Sequence, residues 1–208
     1  MLLYDCATAP SPRRVRIFLA EKGLQVPMRQ IDLRQGEHLG EAYRAINPQC
    51  VVPYLVLDDG TGIGEMIAIC RYFEEVRPDP PLMGRDPKSK ALVTMWDHRC
   101  EAEGMFAVAE WLRNTSRGLR NRAVTGERNF AQIPELGERG RQRTQDFFQV
   151  LDQRLAASRH LAGDDFSVAD ITALITVDFA AWLKLGLDDT PNLKRWHDEV
   201  SARPSAKA

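Results

Sequence analysis

The segment that decides the fold covers residues 47–75 and reads NPQCVVPYLVLDDGTGIGEMIAICRYFEE. Residues 51–57 are rich in strand-forming side chains, and the Asp-Asp-Gly turn at 58–60 favours a hairpin back into a short second strand. A helix is indicated next by apolar residues at helical spacing: Ile69, Tyr72, Phe73 and Val76. The segment therefore predicts a strand, a turn, a strand and a helix.

Two residues of this segment are candidates for a binding site. Pro53 precedes the first strand, a usual position for a residue that cannot donate to a ladder. A cis Val52-Pro53 bond is the alternative, and it would turn the Val52 backbone outward. Glu65 opens the helix, where free N–H groups bind a carboxylate and the side chain can bind an ammonium group. These features suit a small peptide that carries both charges.

The composition excludes several classes of function. The chain has 208 residues, 27% of them charged and 44% hydrophobic, with a formal net charge of −1. This balance offers no electrostatic case for a nucleic acid or an anionic membrane partner. The sequence has no apolar run of the roughly 18–20 residues that a span needs and no secretory signal pattern at its start. The four cysteines and four histidines are dispersed without metal-ligand spacing, so we expect a cytoplasmic, metal-free protein.

The first 76 residues predict a small α/β domain. A strand at 2–4 leads through a proline-containing loop at 5–12 into a helix that ends at Gly23, and a second strand follows at 28–33. A second helix at 39–46 precedes the opening segment. The predicted order is β-α-β-α-β-β-α, with a parallel first pair in a mixed four-stranded sheet.

The rest of the chain predicts an all-helical domain. Four prolines within residues 78–87 indicate a linker at 77–86, and Asp86 is a candidate N-cap for a long helix running towards Trp111. An arginine-rich connection follows at 114–129. Further on, Ser167 with Asp170 fits a capping box, and Thr190 is placed to cap the last helix. We therefore expect domains at 1–76 and 87–208.

Four stretches at matching spacing resemble the cytosolic glutathione S-transferase family of bacterial type. The first stretch is YD at 4–5 with RRVRIFLAEKG at 13–23, and the second is NP at 47–48 with VPYL at 52–55, DG at 59–60 and Glu65. The third is FSVADI at 166–171, and the fourth is PNLKRW at 191–196 with ARPS at 202–205. The resemblance implies a thioredoxin-like N-terminal domain and an all-helical C-terminal domain. It also implies a homodimeric detoxification enzyme that conjugates the thiol of glutathione to small electrophiles.

By the same resemblance, glutathione contacts fall on four residues of the opening segment. Pro53 would be cis, the Val52 backbone would pair with the cysteinyl part, and Glu65 with the N–H of Met66 would hold the γ-glutamyl end. The helical domain would supply an apolar pocket for the electrophile. The candidates for that pocket are Trp96, Met105, Phe106 and Trp111. Aromatic residues at helical spacing also fit an ordinary core.

The sequence departs from the family pattern where a hydroxyl would activate the thiol. Ala9 occupies the position where bacterial relatives carry serine, and alanine cannot donate a hydrogen bond. Ser11 and Thr8 are the nearest substitutes, although Ser11 also fits a helix N-cap. Cys6 lies too early to serve, which weakens a third interpretation, a glutathione-dependent reductase.

Two further departures affect the binding segment. Met66 replaces a serine that would bind the γ-glutamyl carboxylate, and Cys50 stands where glycine is common. Losing one hydrogen bond to a charged group lowers affinity by about one to two orders of magnitude. The alternative to the enzyme is therefore a non-catalytic member of the same fold that binds a ligand or a protein.

Overall fold

The computed structural model describes residues 1–208, and the chain divides into two compact units. The first comprises Met1–Pro80 with Thr125–Arg128 and Ala208, and the second comprises Pro81–Val124 with Asn129–Lys207. The elements of the first unit are β1 (Leu2–Asp5), α1 (Pro10–Glu21), β2 (Met28–Gln30), α2 (Glu41–Arg44), β3 (Tyr54–Val56), β4 (Gly62–Ile63) and α3 (Met66–Val76).

The first unit is built on a mixed four-stranded sheet in the order β2-β1-β3-β4. Strands β1 and β2 are parallel, whereas the β1–β3 and β3–β4 pairs are antiparallel. The predicted order β-α-β-α-β-β-α and the mixed sheet are thus confirmed. Successive strand residues face opposite sides, so Leu3 and Tyr4 are buried on different faces, and Tyr4 packs with Ile31 and Tyr43.

Three boundaries in this unit differ from the sequence prediction. Helix α1 begins at Pro10, so the expected loop at 5–12 ends earlier and both of its prolines lie in the first helical turn. Proline is tolerated there because first-turn N–H groups have no intrahelical acceptor. Strand β2 stops at Gln30, and the helix expected at 39–46 is a 3-10 turn, Glu37–Leu39, followed by the short α2.

The second unit is helical, as predicted. Its elements are α4 (Pro87–Arg99), a π-helical segment (Cys100–Met105), α5 (Phe106–Thr115), α6 (Pro134–Ala156), α7 (Val168–Ala181) and α8 (Pro191–Ser201). The long helix expected from Asp86 is therefore one continuous helical stretch with a π-helical segment in its middle. Asp86 is its N-cap, and the Asp86 side chain accepts a hydrogen bond from the Ser89 N–H at 2.9 Å.

Helix α7 is buried along almost its whole length, and a capping box closes its start. Asp170 Oδ2 accepts hydrogen bonds from the Ser167 N–H and hydroxyl, both at 3.0 Å, which confirms the predicted cap. The prediction for α8 needs a correction. Thr190 stands at the N-cap, but its hydroxyl donates to Leu187 O, and Asp152 of α6 accepts from the helix N–H groups instead.

Helices α5 and α6 approach closely at Gly140. A Cβ atom there would lie 2.6 Å from the Trp111 nitrogen and 2.7 Å from the Ala107 oxygen, so only glycine fits this backbone contact. The close approach brings Arg139 and Arg143 of α6 beside α5, where both contact Glu110. The acidic residue of α5, Glu110, is therefore paired with arginines of α6.

All four cysteines are buried and free, and no group of three or more potential ligands could hold a metal ion. None of the helices combines the length and the hydrophobicity that crossing a membrane would require.

Candidate functional site

The backbone of Val52 forms an open edge in the first unit. The Val52-Pro53 bond is cis, and neither the N–H nor the C=O of Val52 has a hydrogen-bond partner within the protein. The preceding carbonyl, Val51 O, is held from inside by the Tyr43 hydroxyl at 2.7 Å and the Asn47 amide at 2.8 Å. Burial raises the pKa of Tyr43 to about 12, so its hydroxyl stays protonated as a donor.

The loop before this edge depends on an unusual backbone conformation. Cys50 is buried and has a φ of 57°, in the left-handed region that glycine favours. A non-glycine residue there costs about 1–2 kcal/mol. The Cys50 N–H donates to Asn47 O at 3.0 Å, and this bond holds the turn. Cys50 thus adopts a backbone conformation that glycine accepts more readily.

Strand register brings the start of α3 next to the open edge. Leu55 pairs with Ile63 and Val56 with Gly62 in the antiparallel β3–β4 ladder. The ladder ends at Leu55 and Ile63, and Pro53 and Glu65 each lie two residues beyond that last pair. The Val52 edge and the first residues of α3 therefore lie at the same end of the sheet.

Glu65 occupies the N-cap position of α3 without capping it. Its φ is 59°, its side chain is exposed, and no side-chain hydrogen bond closes the helix start. The N–H of Met66 is left available for an anion, and the Glu65 carboxylate is available for a cation. A positive φ in a non-glycine residue that supports no cap is typical of a functional position.

The side chain of Met66 turns away from this open helix start. It is only 4% exposed, and the Cys70 thiol contacts its sulfur at 3.5 Å. Met66 therefore contributes its backbone N–H to the surface and its side chain to the core.

The start of α1 carries the two candidate hydroxyls. The N-cap is Ala9, which makes no side-chain bond, so the interpretation of Ser11 as an N-cap is wrong. Ser11 lies inside the first turn, where its oxygen accepts from Arg14 Nη2 at 2.9 Å and its hydrogen remains free to donate. Thr8 is exposed in the preceding loop, with its hydroxyl 3.5 Å from the sulfur of buried Cys6.

A buried carboxylate that the sequence did not single out positions the loop before α1. Asp5 is fully buried and accepts from Arg16 Nη1 at 2.6 Å and from Gln30 Nε2 at 2.5 Å. The Oε1 atom of the same glutamine side chain accepts from the Ala7 N–H at 2.8 Å. A charged residue directly after an apolar strand was the available signal.

The expected pocket residues of the second unit have unequal exposure. Met105 ends the π-helical segment and is 5% exposed, whereas Phe106 begins α5 and is 59% exposed. Trp111 is half-buried one and a half turns further along the same helix, and Trp96 of α4 is buried. Phe106 is therefore the expected pocket residue that presents most of its ring to solvent.

The chain belongs to the glutathione S-transferase family. Residues 8–76 match the family model of the N-terminal domain, and residues 124–204 match that of the C-terminal domain. Glutathione S-transferase 2 of Saccharomyces cerevisiae is 35% identical over 210 residues, which cover 100% of this chain and 88% of that protein.

Solved structures of the family have the same fold. A glutathione S-transferase domain-containing protein of Marinobacter aquaeolei superposes with a TM-score of 0.91 at 38% identity, covering 99% of both chains. Gtt2 from Saccharomyces cerevisiae has the same TM-score at 35% identity, covering 100% of this chain and 99% of that one. These matches confirm the thioredoxin-like sheet domain and the helical domain. None of them favours the non-catalytic alternative.

Proposed function

We propose that this protein conjugates the thiol of glutathione to small electrophiles and that the peptide binds along the Val52 edge. The observation that carries the proposal is the β3–β4 pairing, which brings the unpaired Val52 backbone and the uncapped start of α3 to the same end of the sheet. A tripeptide with an ammonium and carboxylate groups matches those chemical features. Membership of the transferase family supports the same reading.

Each group of the site has a role that follows from its chemistry. The N–H and C=O of Val52 bind the cysteinyl backbone as a neighbouring strand would, with Pro53 holding that edge. Glu65 binds the γ-glutamyl ammonium, and the Met66 N–H binds its carboxylate at the positive end of α3. No side-chain hydroxyl assists at residue 66, so the backbone donor acts alone.

Ser11 is the proposed donor to the sulfur of glutathione. A hydrogen bond to the charged form stabilises the thiolate over the thiol, and the thiolate is the nucleophile. Arg14 supports this role because it occupies an acceptor position of the Ser11 oxygen and leaves the hydrogen free for the sulfur. Thr8 is the second candidate, being exposed in the loop just before the helix.

The remaining features of the proposal come from the family. We propose a homodimeric, cytoplasmic detoxification enzyme without a metal, in which the glutathione-binding domain covers residues 1–76 and the helical domain residues 87–208. The electrophile-binding residues proposed on the helical domain are Met105, Phe106 and Trp111.

The first test is a calorimetric titration with glutathione, followed by an assay with a chromogenic chloronitroarene. We expect binding at millimolar or lower glutathione and conjugation above the uncatalysed rate. Binding without turnover would favour the non-catalytic alternative, and absence of both would overturn the proposal.

The second test assigns the hydroxyl. Ser11→Ala should lower kcat by about tenfold to a thousandfold while glutathione affinity changes little, because the lost bond acts on the developing thiolate. Thr8→Val tests the second candidate in the same assay. Thr94→Val, an exposed threonine of α4, is the matched control. An unchanged rate in Ser11→Ala would remove Ser11 from the mechanism.

A further inference from the structure

Arg113 of α5 is a half-buried cation without a protein acceptor. Its Nε atom is buried and has no hydrogen-bond partner, and no carboxylate lies within ion-pair distance of its guanidinium. Other partly buried arginines of this unit are satisfied. Arg99 forms two bonds with Glu103, and Arg154 donates to a backbone carbonyl. Leaving such a group unsatisfied costs free energy, and an anion bound at the terminal nitrogens of the same guanidinium would compensate its charge.

The acid expected to pair with Arg113 is already engaged. Glu110 lies three residues earlier on α5, at the spacing of an ordinary intrahelical ion pair. Its oxygens instead face α6, where Arg139 lies at 2.5 Å and Arg143 at 3.8 Å. The next acid along the chain is Glu127, which pairs with Arg44.

The surroundings of Arg113 are strongly positive. Between residues 110 and 127 the chain has no acidic residue but carries Arg113, Arg117, Arg120 and Arg122. Burial lowers the pKa of Arg113, and the like charge of Arg122 lowers it further. The helix C-terminus partly offsets this repulsion, but it gives the buried Nε no acceptor. An external anion bound at the terminal nitrogens of Arg113, which are not sealed in the interior, would relieve this repulsion.

The loop that carries these charges is held in place. Gln132 donates to Arg113 O and Ser116 O, both at 2.7 Å, and Asn114 accepts from the Ile133 N–H at 2.9 Å. Arg122 donates to the Asn129 side chain at 3.0 Å. These bonds hold the backbone around Arg113 and the side chain of Arg122 before any ligand arrives, which lowers the entropy cost of binding.

An exposed aromatic ring shares the helix face of Arg113. Phe106 lies seven residues before it, two helical turns or about 10 Å along the axis. Helical side chains point back towards the N-terminus, so the Arg113 side chain lies over the turn that contains Ala109. Ala109 is small, and it leaves room between the ring and the guanidinium. The face thus offers a flat apolar surface at one end and a carboxylate-binding fork at the other.

We propose that the α5 face formed by Phe106, Ala109 and Arg113 binds small aromatic carboxylates, and that electrophiles conjugated by this protein carry such a group. The ring of the ligand packs against Phe106 and its carboxylate accepts from Arg113. The second half of the proposal rests on the proposed transferase function, whereas the binding half does not.

The test uses a matched pair of electrophiles, 4-chloro-3-nitrobenzoate and its neutral carboxamide. Direct binding of each is measured by calorimetry without glutathione, and kcat/KM is measured with glutathione and divided by the uncatalysed rate. We expect the native protein to prefer the carboxylate by about tenfold to a hundredfold in both measurements.

Arg113→Met should abolish that preference and leave the carboxamide unaffected, and Arg113→Lys should restore part of it. Phe106→Ala should weaken both ligands alike. Arg117→Met removes the same charge from an exposed arginine nearby, and it should change the binding of neither the carboxylate nor the carboxamide.

The possible failures are distinguishable. Equal binding of the two ligands by the native protein, or an unchanged preference in Arg113→Met, would overturn the site. Carboxylate binding without conjugation of either compound would uphold the site and count against the transferase function and the electrophile assignment.

Discussion

The starts of α3 and α7 are built in opposite ways. At α7, Asp170 accepts from the N–H and hydroxyl of Ser167, from the Leu161 N–H at 3.0 Å and from the Trp196 indole at 3.2 Å. At α3, Glu65 caps nothing and the first N–H groups stay open. A closed helix start contributes to stability, whereas an open one keeps its donors for a ligand. The comparison separates the residues that maintain the fold from those available for binding.

The largest expected change in stability follows from removing the acceptor at the start of α7. Asp170→Ala should destabilise the protein by about 3–5 kcal/mol, because several buried donors lose their acceptor at once. Chemical denaturation measures the change. Asp165→Ala, at an exposed acid 3.8 Å from Arg85, should cost well under 1 kcal/mol. A loss below 1 kcal/mol for Asp170→Ala would show that the network contributes little.

Placing a hydroxyl at residue 66, at the start of α3, should cost stability. Met66→Ser removes a side chain that is 4% exposed, and we expect a loss of about 2–4 kcal/mol from the cavity. Ile67→Ser, at the neighbouring position with 39% exposure, is the control and should lose much less. Equal losses in the two variants would contradict the inward placement of Met66.

Neutralising Glu65 at the start of α3 should weaken glutathione binding without changing the stability of the protein. Glu65→Gln should weaken glutathione binding about tenfold, the size expected for one charge-assisted contact, with stability within about 0.5 kcal/mol of the native protein. Calorimetry and denaturation report the two quantities separately. Glu75→Gln, near the other end of α3, should leave affinity unchanged. If both variants bind glutathione like the native protein, Glu65 is not a contact.

The smallest effect concerns a third helix start, that of α8. Burial raises the pKa of Asp152, but hydrogen bonds from Leu193 and Asn192 outweigh it and hold the pKa below its ordinary value. A lowered pKa in the folded state means that this stabilisation is present above the unfolded pKa and is lost as the pH falls through the folded one.

Asp152→Asn should therefore cost about 1 kcal/mol at neutral pH and progressively less in acid. Denaturation curves at several pH values follow the difference between the two proteins. A difference that stays constant, or grows, as the pH falls would contradict the assigned role of Asp152.

Much of the fold was predictable because its signals are local. Apolar spacing, prolines and capping residues specify helices and turns within a few residues of chain, so the α/β order and the cap at Asp86 were confirmed. The prediction of a helix cap was wrong where a residue distant in sequence supplied the acceptor. Thr190 was the predicted cap of α8, but Asp152 supplies the acceptor from another helix.

The site was only partly predictable for the same reason. Ser11 looks like a cap in sequence, yet the chain enters α1 two residues earlier and Arg14 contacts its oxygen. Asp5 and Arg16 entered only as letters of a family motif, and their contact was not predicted because Arg16 and Gln30 come from separate elements. Residues distant in sequence become neighbours only through packing.

The sequence by itself determined the family, the order of elements and the residue types at the proposed glutathione site, since these depend on local propensity and on motifs in order. Only the tertiary structure decided which groups face each other. Strand pairing brought Pro53 and Glu65 to the same end of the sheet, and helix packing paired Glu110 with α6 and left the Arg113 Nε without an acceptor. The physical reason is that hydrogen bonds and ion pairs act over a few ångströms, so they form between whichever groups the packed elements bring together.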